Sequence, residues 1–215
     1  MSMIVPKIIW QTHNYEFNDL PDHLLKVSKT WMNVNPSWNY RYSSHNQRLE
    51  DIKEYPELLD FYNVSTPAVQ SDIWRFIVTY KYGGVYADMD SVCIKPLDYL
   101  LDTVNDCEIL VVPSSHNELA ETNTANYAIK EKSYIMKQIL ELCKKTVYLP
   151  GINHKEPWTC FMETVTQSSD TLYEFTSAWH TMEFKTAFDK NFDIDFYGKK
   201  IKYEDFLSQN SLSMI

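Results

Sequence analysis

The chain has 215 residues, of which 44% are hydrophobic and 23% are charged, and its formal net charge is −9. This length and balance indicate one globular domain with a sizeable core and exclude disorder over most of the chain. The negative charge argues against non-specific binding of nucleic acid, because such binding needs a cationic surface.

The first predicted elements alternate between strands and helices. An apolar run predicts a buried strand over residues 4–11, and near-helical spacing of apolar residues predicts a helix over 20–33. An Asn-Pro-Ser sequence then breaks the chain. Residues 38–43 alternate as a strand does, and residues 49–62 are predicted to be helical around Pro56.

The rest of the chain continues this alternation. A helix of about sixteen residues is predicted to begin at Thr66-Pro67 and to end at Gly83-Gly84. The later predicted elements are strands at 85–89 and 108–112, an amphipathic helix at 131–145, a helix at 157–168, a strand at 171–176 and a polar tail from about 189. Strands that alternate with helices predict an α/β fold with a mainly parallel sheet.

The cellular location of the protein is predicted from two features that the sequence does not show, a transmembrane helix and a signal peptide. No apolar run approaches the ~18 residues of a transmembrane helix, and the apolar start, broken by Pro6 and Lys7, is too short for a signal peptide. The four cysteines lack the spacing of a metal or redox motif and are expected to be reduced. We therefore expect a cytoplasmic protein without a transmembrane segment, in solution or peripheral to a membrane.

Two stripes of side chains follow the helix predicted over residues 68–80. The stripe that should face a core consists of Val69, Ile73, Phe76, Ile77 and Tyr80. A second, narrower stripe contains Asp72 and Arg75, which are i,i+3 neighbours. Taken alone, this pair is best interpreted as an intrahelical ion pair.

The segment after Gly83-Gly84 suggests a different role for that pair. Asp88 lies in the strand predicted at 85–89, and Asp90 directly follows that strand. Because side chains alternate along a strand, the two carboxylates point to the same side. Two neighbouring carboxylates at the end of a buried strand are costly unless a cation neutralises them. Mg²⁺ and Mn²⁺ accept such ligands together with phosphate oxygens, and they stabilise a leaving diphosphate.

A DxD sequence alone is a weak signal, because Asp193-Ile194-Asp195 also fits it and is predicted to be a surface turn. The first DxD differs in its context. It follows the sequence S-D-x-x-R, seven further residues and then G-G-x-Y-x-D-x-D, in which the Asp residues are Asp88 and Asp90.

This context resembles the family 32 glycosyltransferases with a DXD sugar-binding region and, more distantly, the glucosylating domains of the large clostridial toxins. Residues 5–12, 35–41 and 94–97 resemble further family segments, so the resemblance covers residues 4 to about 101. It implies a single GT-A-type, Rossmann-like domain over 1–215, with a mixed, mainly parallel sheet flanked by helices. A donor-binding half is expected at 4–112 and an acceptor or lid half at 113–215.

The resemblance also implies roles for individual residues. Asp88 and Asp90 match the metal and diphosphate motif, and Asp72 and Arg75 match the pair that holds the donor sugar. These four are the catalytic candidates. Trp10 stands where the toxins place a tryptophan on the uracil base. The other donor-binding candidates are Gln11, Thr12, Ser71, Tyr86 and one of Asn123 and Asn126.

The C-terminal signature of the family is not clearly present. Ser177 and Trp179 are candidates for closing over the phosphates, with His180 as a further metal ligand. The alternative, a core tryptophan and an exposed histidine, is the preferred interpretation. The other histidines, including His13, show no ligand-like spacing and are interpreted as ordinary residues.

The sequence thus predicts transfer of a hexose from a nucleotide-diphosphate sugar to a hydroxyl of a glycan-type acceptor, with Mn²⁺ or Mg²⁺. The resemblance implies retention of anomeric configuration. A UDP-sugar is the first expectation for the donor because of Trp10, and GDP-mannose is the second. The rival functions are metal-dependent hydrolysis of a nucleotide sugar and non-catalytic binding of one, and the oligomeric state is left open.

Overall fold

The computed structural model describes residues 3–93, 95–103, 106–113, 122–147, 157–168, 171–173, 179–181, 193–196 and 199–202. The helices in these ranges are α1 (Asp22–Val34), α2 (His45–Ile52), α3 (Pro56–Val64), α4 (Pro67–Tyr82), α5 (Leu97–Thr103), α6 (Tyr134–Val147) and α7 (Pro157–Gln167). The strands are β1 (Ile8–Thr12), β2 (Asn39–Ser43), β3 (Gly84–Ala87), β4 (Ser91–Cys93), β5 (Ile109–Pro113), β6 (Thr122–Ile129), β7 (Thr171–Tyr173), β8 (Trp179–Thr181), β9 (Asp193–Phe196) and β10 (Lys199–Lys202).

A six-stranded sheet forms the centre of the fold, in the order β2-β1-β3-β6-β5-β7. Strand β1 is parallel to both β2 and β3, and β5 is parallel to β7. Strand β6 runs antiparallel to its neighbours β3 and β5. The sheet is therefore mixed and mainly parallel, and the predicted α/β fold class is confirmed.

Both faces of the sheet are covered, which makes three layers. Alternation along β3 sends Tyr86 to one face and Val85 to the other. On the first face the sheet packs on α4, α6 and α7, with Phe76 and Phe161 in the core. On the second face it packs on α1 and α5, with the fully buried Trp31 in the core. The strand ends that emerge between these layers form the edge where α/β sheets bind ligands.

The glycine pair between α4 and β3 meets a local steric requirement. Gly83 and Gly84 have φ angles of 63° and 106°, which side chains rarely tolerate. A Cβ on Gly83 would stand 2.6 Å from the backbone nitrogen of Glu131, and one on Gly84 would stand 2.6 Å from the carbonyl oxygen of Ile8. The reversal of the chain at this point therefore depends on glycine.

Two predicted elements have the wrong boundaries, and in both cases the cause is a proline. The first strand begins at Ile8 rather than at residue 4, and Ile4 is 80% exposed. Pro6 lacks an N–H group for a strand ladder, and its carbonyl instead accepts a tight-turn bond from the nitrogen of Ile8 at 2.7 Å. The single helix predicted at 49–62 is in fact α2 and α3, because Pro56 begins a new helix.

The strand predictions also differ from the structure in extent and in number. Strand β3 ends at Ala87, and the DxD residues form a turn closed by a 3.0 Å bond from the nitrogen of Ser91 to the carbonyl of Asp88. The second DxD, predicted to be a surface turn, lies in β9, which pairs with β10 within the predicted polar tail. Strands β4, β6 and β8 were not predicted, although β6 lies at the centre of the sheet.

A two-stranded ladder joins the two halves of the chain. Strand β4, directly after the DxD turn, pairs antiparallel with β8, and Val92 lies opposite His180. In the part of the chain that the structure describes, no helix is long and apolar enough to cross a bilayer. The four cysteines form no disulfide within the described residues.

Candidate functional site

Helix α4 places two charged side chains beside the end of β3. It begins at Pro67, where the Thr66 side chain accepts a bond from the nitrogen of Val69, and it ends at Gly83. Because the chain reverses there, the middle of α4 lies near the carboxyl end of β3. The Arg75 guanidinium accordingly stands 4.3 Å from the centre of the Tyr86 ring.

Arg75 connects two carboxylates in one ion-pair network. Its Nη2 lies 2.8 Å from Asp72 Oδ1, and its Nη1 lies 3.3 Å from Asp88 Oδ1. The Arg75 and Asp72 side chains are only 6% and 11% exposed, whereas that of Asp88 is 34% exposed. The pair within α4 therefore exists, but it is buried and extends to the DxD turn.

Tyr86, on β3, contacts two members of this network, Arg75 and Asp88. It is buried, and its hydroxyl donates to Asp88 Oδ1 at 2.7 Å. Its ring stacks on that of Tyr127 at 5.6 Å, and the hydroxyl of Tyr127 donates to the carbonyl of Arg75 at 3.3 Å. Tyr86, predicted to bind the donor, thus fixes Asp88 and does not present its ring to an open surface.

Asp90 is the carboxylate whose charge is least compensated. Its Oδ1 is buried without a hydrogen-bond partner in the described residues. Burial, and next the charge of Asp88, raises the pKa of Asp90 to about 6. A hard divalent cation would satisfy this oxygen and offset both carboxylates, so the donor set fits Mg²⁺ or Mn²⁺. No group of three acidic, histidine or cysteine side chains placed to hold a metal occurs in the described ranges.

Gln11 and Thr12 fix the carboxyl end of β1. Gln11 is fully buried, donates to the carbonyl of Asp88 at 3.0 Å and accepts from the hydroxyl of Tyr40 at 2.8 Å. Thr12 is also buried and donates to the carbonyl of Ser43 at 2.6 Å. Gln11 therefore positions the backbone of the DxD turn, whereas Thr12 ties the end of β1 to the end of β2.

Trp10 packs against the core and also lines a cavity of about 470 Å³ with Arg41 and Tyr82, so its role as a stacking surface for a nucleobase stays a prediction. Its indole is 8% exposed and donates to the carbonyl of Gly83 at 2.9 Å. Tyr82 stacks on it at 5.7 Å, and Trp74 packs edge-on at 6.2 Å. Gly83 precedes β3 and Asp88 follows it, so on the order of 16 Å of extended chain separates the two positions.

A cavity of about 240 Å³ opens on the other side of the DxD turn from Arg75. It is lined by His13, Leu24, Asp88, Met89 and Asp90. Burial, together with the charges of Arg48 and His23, lowers the pKa of His13, so the imidazole is neutral at neutral pH. The sequence interpretation missed His13, although its position directly after β1 was a usable signal.

Arg48 is a second residue that the sequence interpretation missed. It is fully buried on α2, and its hydrogen bonds reach Thr12, the carbonyl of His13 and the side chain of Asn14 at distances of 2.5 to 3.2 Å. Arginine on an amphipathic helix is usually exposed, and nothing in its sequence neighbourhood distinguished it.

The structure describes the remaining candidate residues to different extents. Strand register puts Asn126 opposite Ala87, one residue before Asp88, whereas Asn123 lies three residues farther along β6. Ser71 donates its hydroxyl to the carbonyl of Pro67 at 3.0 Å. The backbones of Trp179 and His180 lie in β8, beside the DxD turn, and Ser177 lies outside the described residues.

Comparison with known proteins agrees with this geometry. Residues 21–107 match the family model for the glycosyltransferase sugar-binding region containing a DXD motif. The mannosyl phosphorylinositol ceramide synthase CSH1 of Saccharomyces cerevisiae is 30% identical over 154 residues, which are 68% of this chain and 38% of that protein. The yeast synthase SUR1 is 37% identical over 100 residues, which are 46% of this chain and 26% of that protein. The chain therefore spans less than half of the length of either relative.

A solved structure extends the comparison to the fold. The PaToxG glycosyltransferase superposes with a TM-score of 0.60 on 77% of this chain and 70% of that chain, at 16% identity. At such low identity the likeness concerns the fold alone. Residues 21–107 of this protein therefore match a glycosyltransferase sugar-binding region containing the DXD motif, and they lie within a GT-A fold.

Proposed function

We propose that this protein transfers a hexosyl group from a nucleoside diphosphate sugar to a hydroxyl of a glycan-type acceptor. The observation that carries the proposal is the buried network of Asp72, Arg75 and Asp88, which ends beside the uncompensated oxygen of Asp90. Charged groups buried at such cost are typical of sites that bind or react. Residues 4–112 would form the donor-binding half and residues 113–215 the acceptor half.

Each of the four charged residues has a defined task in this proposal. Asp88 and Asp90 hold Mn²⁺ or Mg²⁺, which would neutralise the diphosphate as it leaves the sugar. Asp72 and Arg75 hold the sugar hydroxyls, because a carboxylate accepts and a guanidinium donates hydrogen bonds. The position of Arg75 between both carboxylates, and of Tyr86 beneath Asp88, keeps these groups fixed before the donor arrives.

The donor and the stereochemistry are finer parts of the same proposal. Uridine is expected because of Trp10, which is 8% exposed and lines a cavity with Tyr82. The relatives CSH1 and SUR1 are named mannosyl phosphorylinositol ceramide synthases, which supports a mannosyl donor. We therefore place GDP-mannose beside UDP-hexoses as donor, with retention of configuration as the family resemblance implies. His180, which β8 brings near the turn, is proposed as a further metal ligand, with Ser177 and Trp179 toward the phosphates.

The test is an assay with UDP-hexoses and GDP-mannose in the presence of Mn²⁺, with and without glycan acceptors. Turnover that requires an acceptor supports transfer. Turnover at the same rate without an acceptor supports hydrolysis, and binding without turnover at any donor supports a non-catalytic protein. Asp88→Asn is the matched inactive control, and removal of Mn²⁺ by EDTA should stop the reaction.

A further inference from the structure

The side chain of Arg75 lies on a column of stacked rings that continues beyond the DxD motif. Its guanidinium is 4.3 Å from the centre of the Tyr86 ring, and the ring of Tyr86 stacks on that of Tyr127 with 5.6 Å between their centres. Tyr86 on β3 and Tyr127 on β6 are paired residues, and both are buried. Phe161 of α7 also packs on Tyr127, at 5.3 Å. In such close packing, a shift of the Tyr86 ring away from Arg75 would displace Tyr127.

The hydroxyl of Tyr127 contacts the backbone of the same arginine. It lies 3.3 Å from the carbonyl oxygen of Arg75 and 3.0 Å from Thr79 Oγ1, and Thr79 Oγ1 donates to that carbonyl at 2.6 Å. Burial raises the pKa of Tyr127 above its ordinary value, so the hydroxyl stays protonated and can donate. Tyr127 thus supports Arg75 in two ways, through the ring under the guanidinium and through the turn of α4 that carries the residue.

Small displacements of Arg75 matter because its guanidinium spans two carboxylates. The terminal nitrogens lie 2.8 Å from Asp72 Oδ1 and 3.3 Å from Asp88 Oδ1. A movement of about 1 Å would lengthen one of these contacts beyond hydrogen-bond distance, and a displacement of that size can cost an enzyme about 10²-fold in rate. Thr79 and Tyr127 are both fully buried, so solvent does not reach the hydroxyls that hold this turn.

We propose that Tyr127 is a positioning residue for the donor sugar, and that it acts through Arg75 by fixing the backbone of α4 and the ring of Tyr86. The inference rests on the proposed function, because it requires the sugar to lie against Asp72 and Arg75. Tyr127 lies beyond residues 21–107, which match the family model, so that match gives it no role. Tyr127 itself contacts neither the sugar nor the metal in this proposal.

The experiment measures turnover and binding in Tyr127→Phe, which keeps the ring and removes the hydroxyl. The probes are UDP-glucose and GDP-mannose, each with Mn²⁺, and UDP and GDP as the same nucleotides without a sugar. For the donor that the protein uses, kcat/KM and the affinity in titration calorimetry should fall about 2- to 12-fold, the factor that corresponds to one hydrogen bond. The affinity for UDP or GDP should change less than about twofold, because neither reaches Arg75.

Thr79→Val removes the second hydroxyl of this cluster and should act in the same direction as Tyr127→Phe. Thr164→Val is its matched control. The hydroxyl of Thr164 also donates to the carbonyl four residues earlier, that of Cys160, but it does so on α7. Thr164→Val should leave turnover and both affinities unchanged, measured as for the other variants well below the melting temperature.

A double-mutant cycle tests whether Tyr127 acts through Arg75. Arg75→Lys removes the fork that spans the two carboxylates. In that background Tyr127→Phe should lower turnover by less than about twofold more, whereas a purely structural role predicts the same factor in both backgrounds. If the melting curve shows that Arg75→Lys does not fold, Asp72→Asn serves as the background, because it weakens one end of the same bridge.

The remaining outcomes separate this inference from the proposed function. If the unchanged protein transfers a hexose and Tyr127→Phe does so equally well, the positioning role is wrong and the function stands. If Tyr127→Phe loses UDP and GDP as strongly as the nucleotide sugars, the residue only supports the fold, and the inference is wrong as well. If the unchanged protein neither binds nor turns over a nucleotide sugar, both proposals fail.

Discussion

At its amino end strand β3 is surrounded by close apolar packing, whereas at its carboxyl end it is surrounded by charges. Trp10 donates to the carbonyl of Gly83 and packs on Tyr82 at the first end. Asp88 and Asp90 stand at the second end, with one buried oxygen left without a partner among the described residues. Four residues of strand separate the two environments.

The contrast indicates a division between stability and function along one strand. The amino end gains free energy from apolar burial and contains no group that needs a ligand. The carboxyl end holds carboxylates that repel each other and that burial makes costly. Changes at the two ends should therefore move different measurements, and four such changes can be ordered by the size of the expected effect.

The largest effect should come from the packed end. Trp10→Ala removes a buried indole and its bond to Gly83, and such truncations cost about 3–5 kcal/mol of unfolding free energy. Denaturant unfolding measures this loss. Nucleotide affinity of the protein that remains folded should be unchanged. A large loss of nucleotide affinity with normal stability would instead return Trp10 to the donor site.

The next effect concerns the charged end. Asp88→Asn removes a charge proposed to hold the metal, and turnover should fall about 10²-fold or more, with the circular dichroism spectrum unchanged. Asp98→Asn is a matched control, because Asp98 pairs with Lys7 on the surface. Equal turnover in the two variants, or activity that survives EDTA, would contradict the metal role of Asp88.

A smaller effect on turnover is expected for a change of Asp72 on α4. Asp72→Asn keeps the shape of the side chain but weakens its bond to Arg75 and to a sugar hydroxyl. We expect turnover to fall at least about tenfold while the affinity for the nucleoside diphosphate without sugar persists. Steady-state kinetics and calorimetry on the same preparation separate the two. Parallel loss of both quantities would argue that Asp72 only supports the fold.

The smallest effect should be a gain of stability. Burial raises the pKa of Asp90 to about 6, so between about pH 4 and 6 the folded protein holds a proton that the unfolded chain has released. Stability of the metal-free protein should therefore decrease as the pH rises through this window. Asp90→Asn should remove this dependence and stabilise the metal-free protein above pH 6.

Comparison of melting curves with and without Mn²⁺ sharpens this last prediction. The unchanged protein should be stabilised by Mn²⁺ above pH 6, because a ligand that binds only the folded state raises its stability. Asp90→Asn should lose most of this response. If Asp90→Asn is less stable than the unchanged protein without metal, the carboxylate is not under electrostatic strain.

The sequence was most informative where local rules and a motif coincided. Helix α4 and the glycine pair were predicted within a residue, because Pro67 starts a helix and the glycines end it. The proximity of Arg75 to Asp88 followed from the same reversal of the chain. The GT-A fold was predicted from the resemblance, and the superposition confirms it.

The failures arose where side-chain direction depends on distant partners. The sequence around Trp10 is consistent with a place in the site or in the core, and the structure shows it both packed on Tyr82 and Trp74 and in the wall of a cavity. Strand β6 has the polar sequence TNTANYAI, in which tertiary pairing overrides a weak local pattern. Arg48 was missed because three of its acceptors, in residues 12–14, lie more than thirty residues away in the chain.

The ladder between β4 and β8 has a consequence for how the protein is made. Ser91, one residue past the DxD turn, pairs with Thr181, so this contact closes a loop of about ninety residues. Long loops are slow to close, and a chain folds from its amino end while it is synthesised. The strands β1, β2 and β3 can therefore associate on the ribosome well before β8 exists. The flank of the DxD turn gains its pairing strand only when synthesis has passed residue 181.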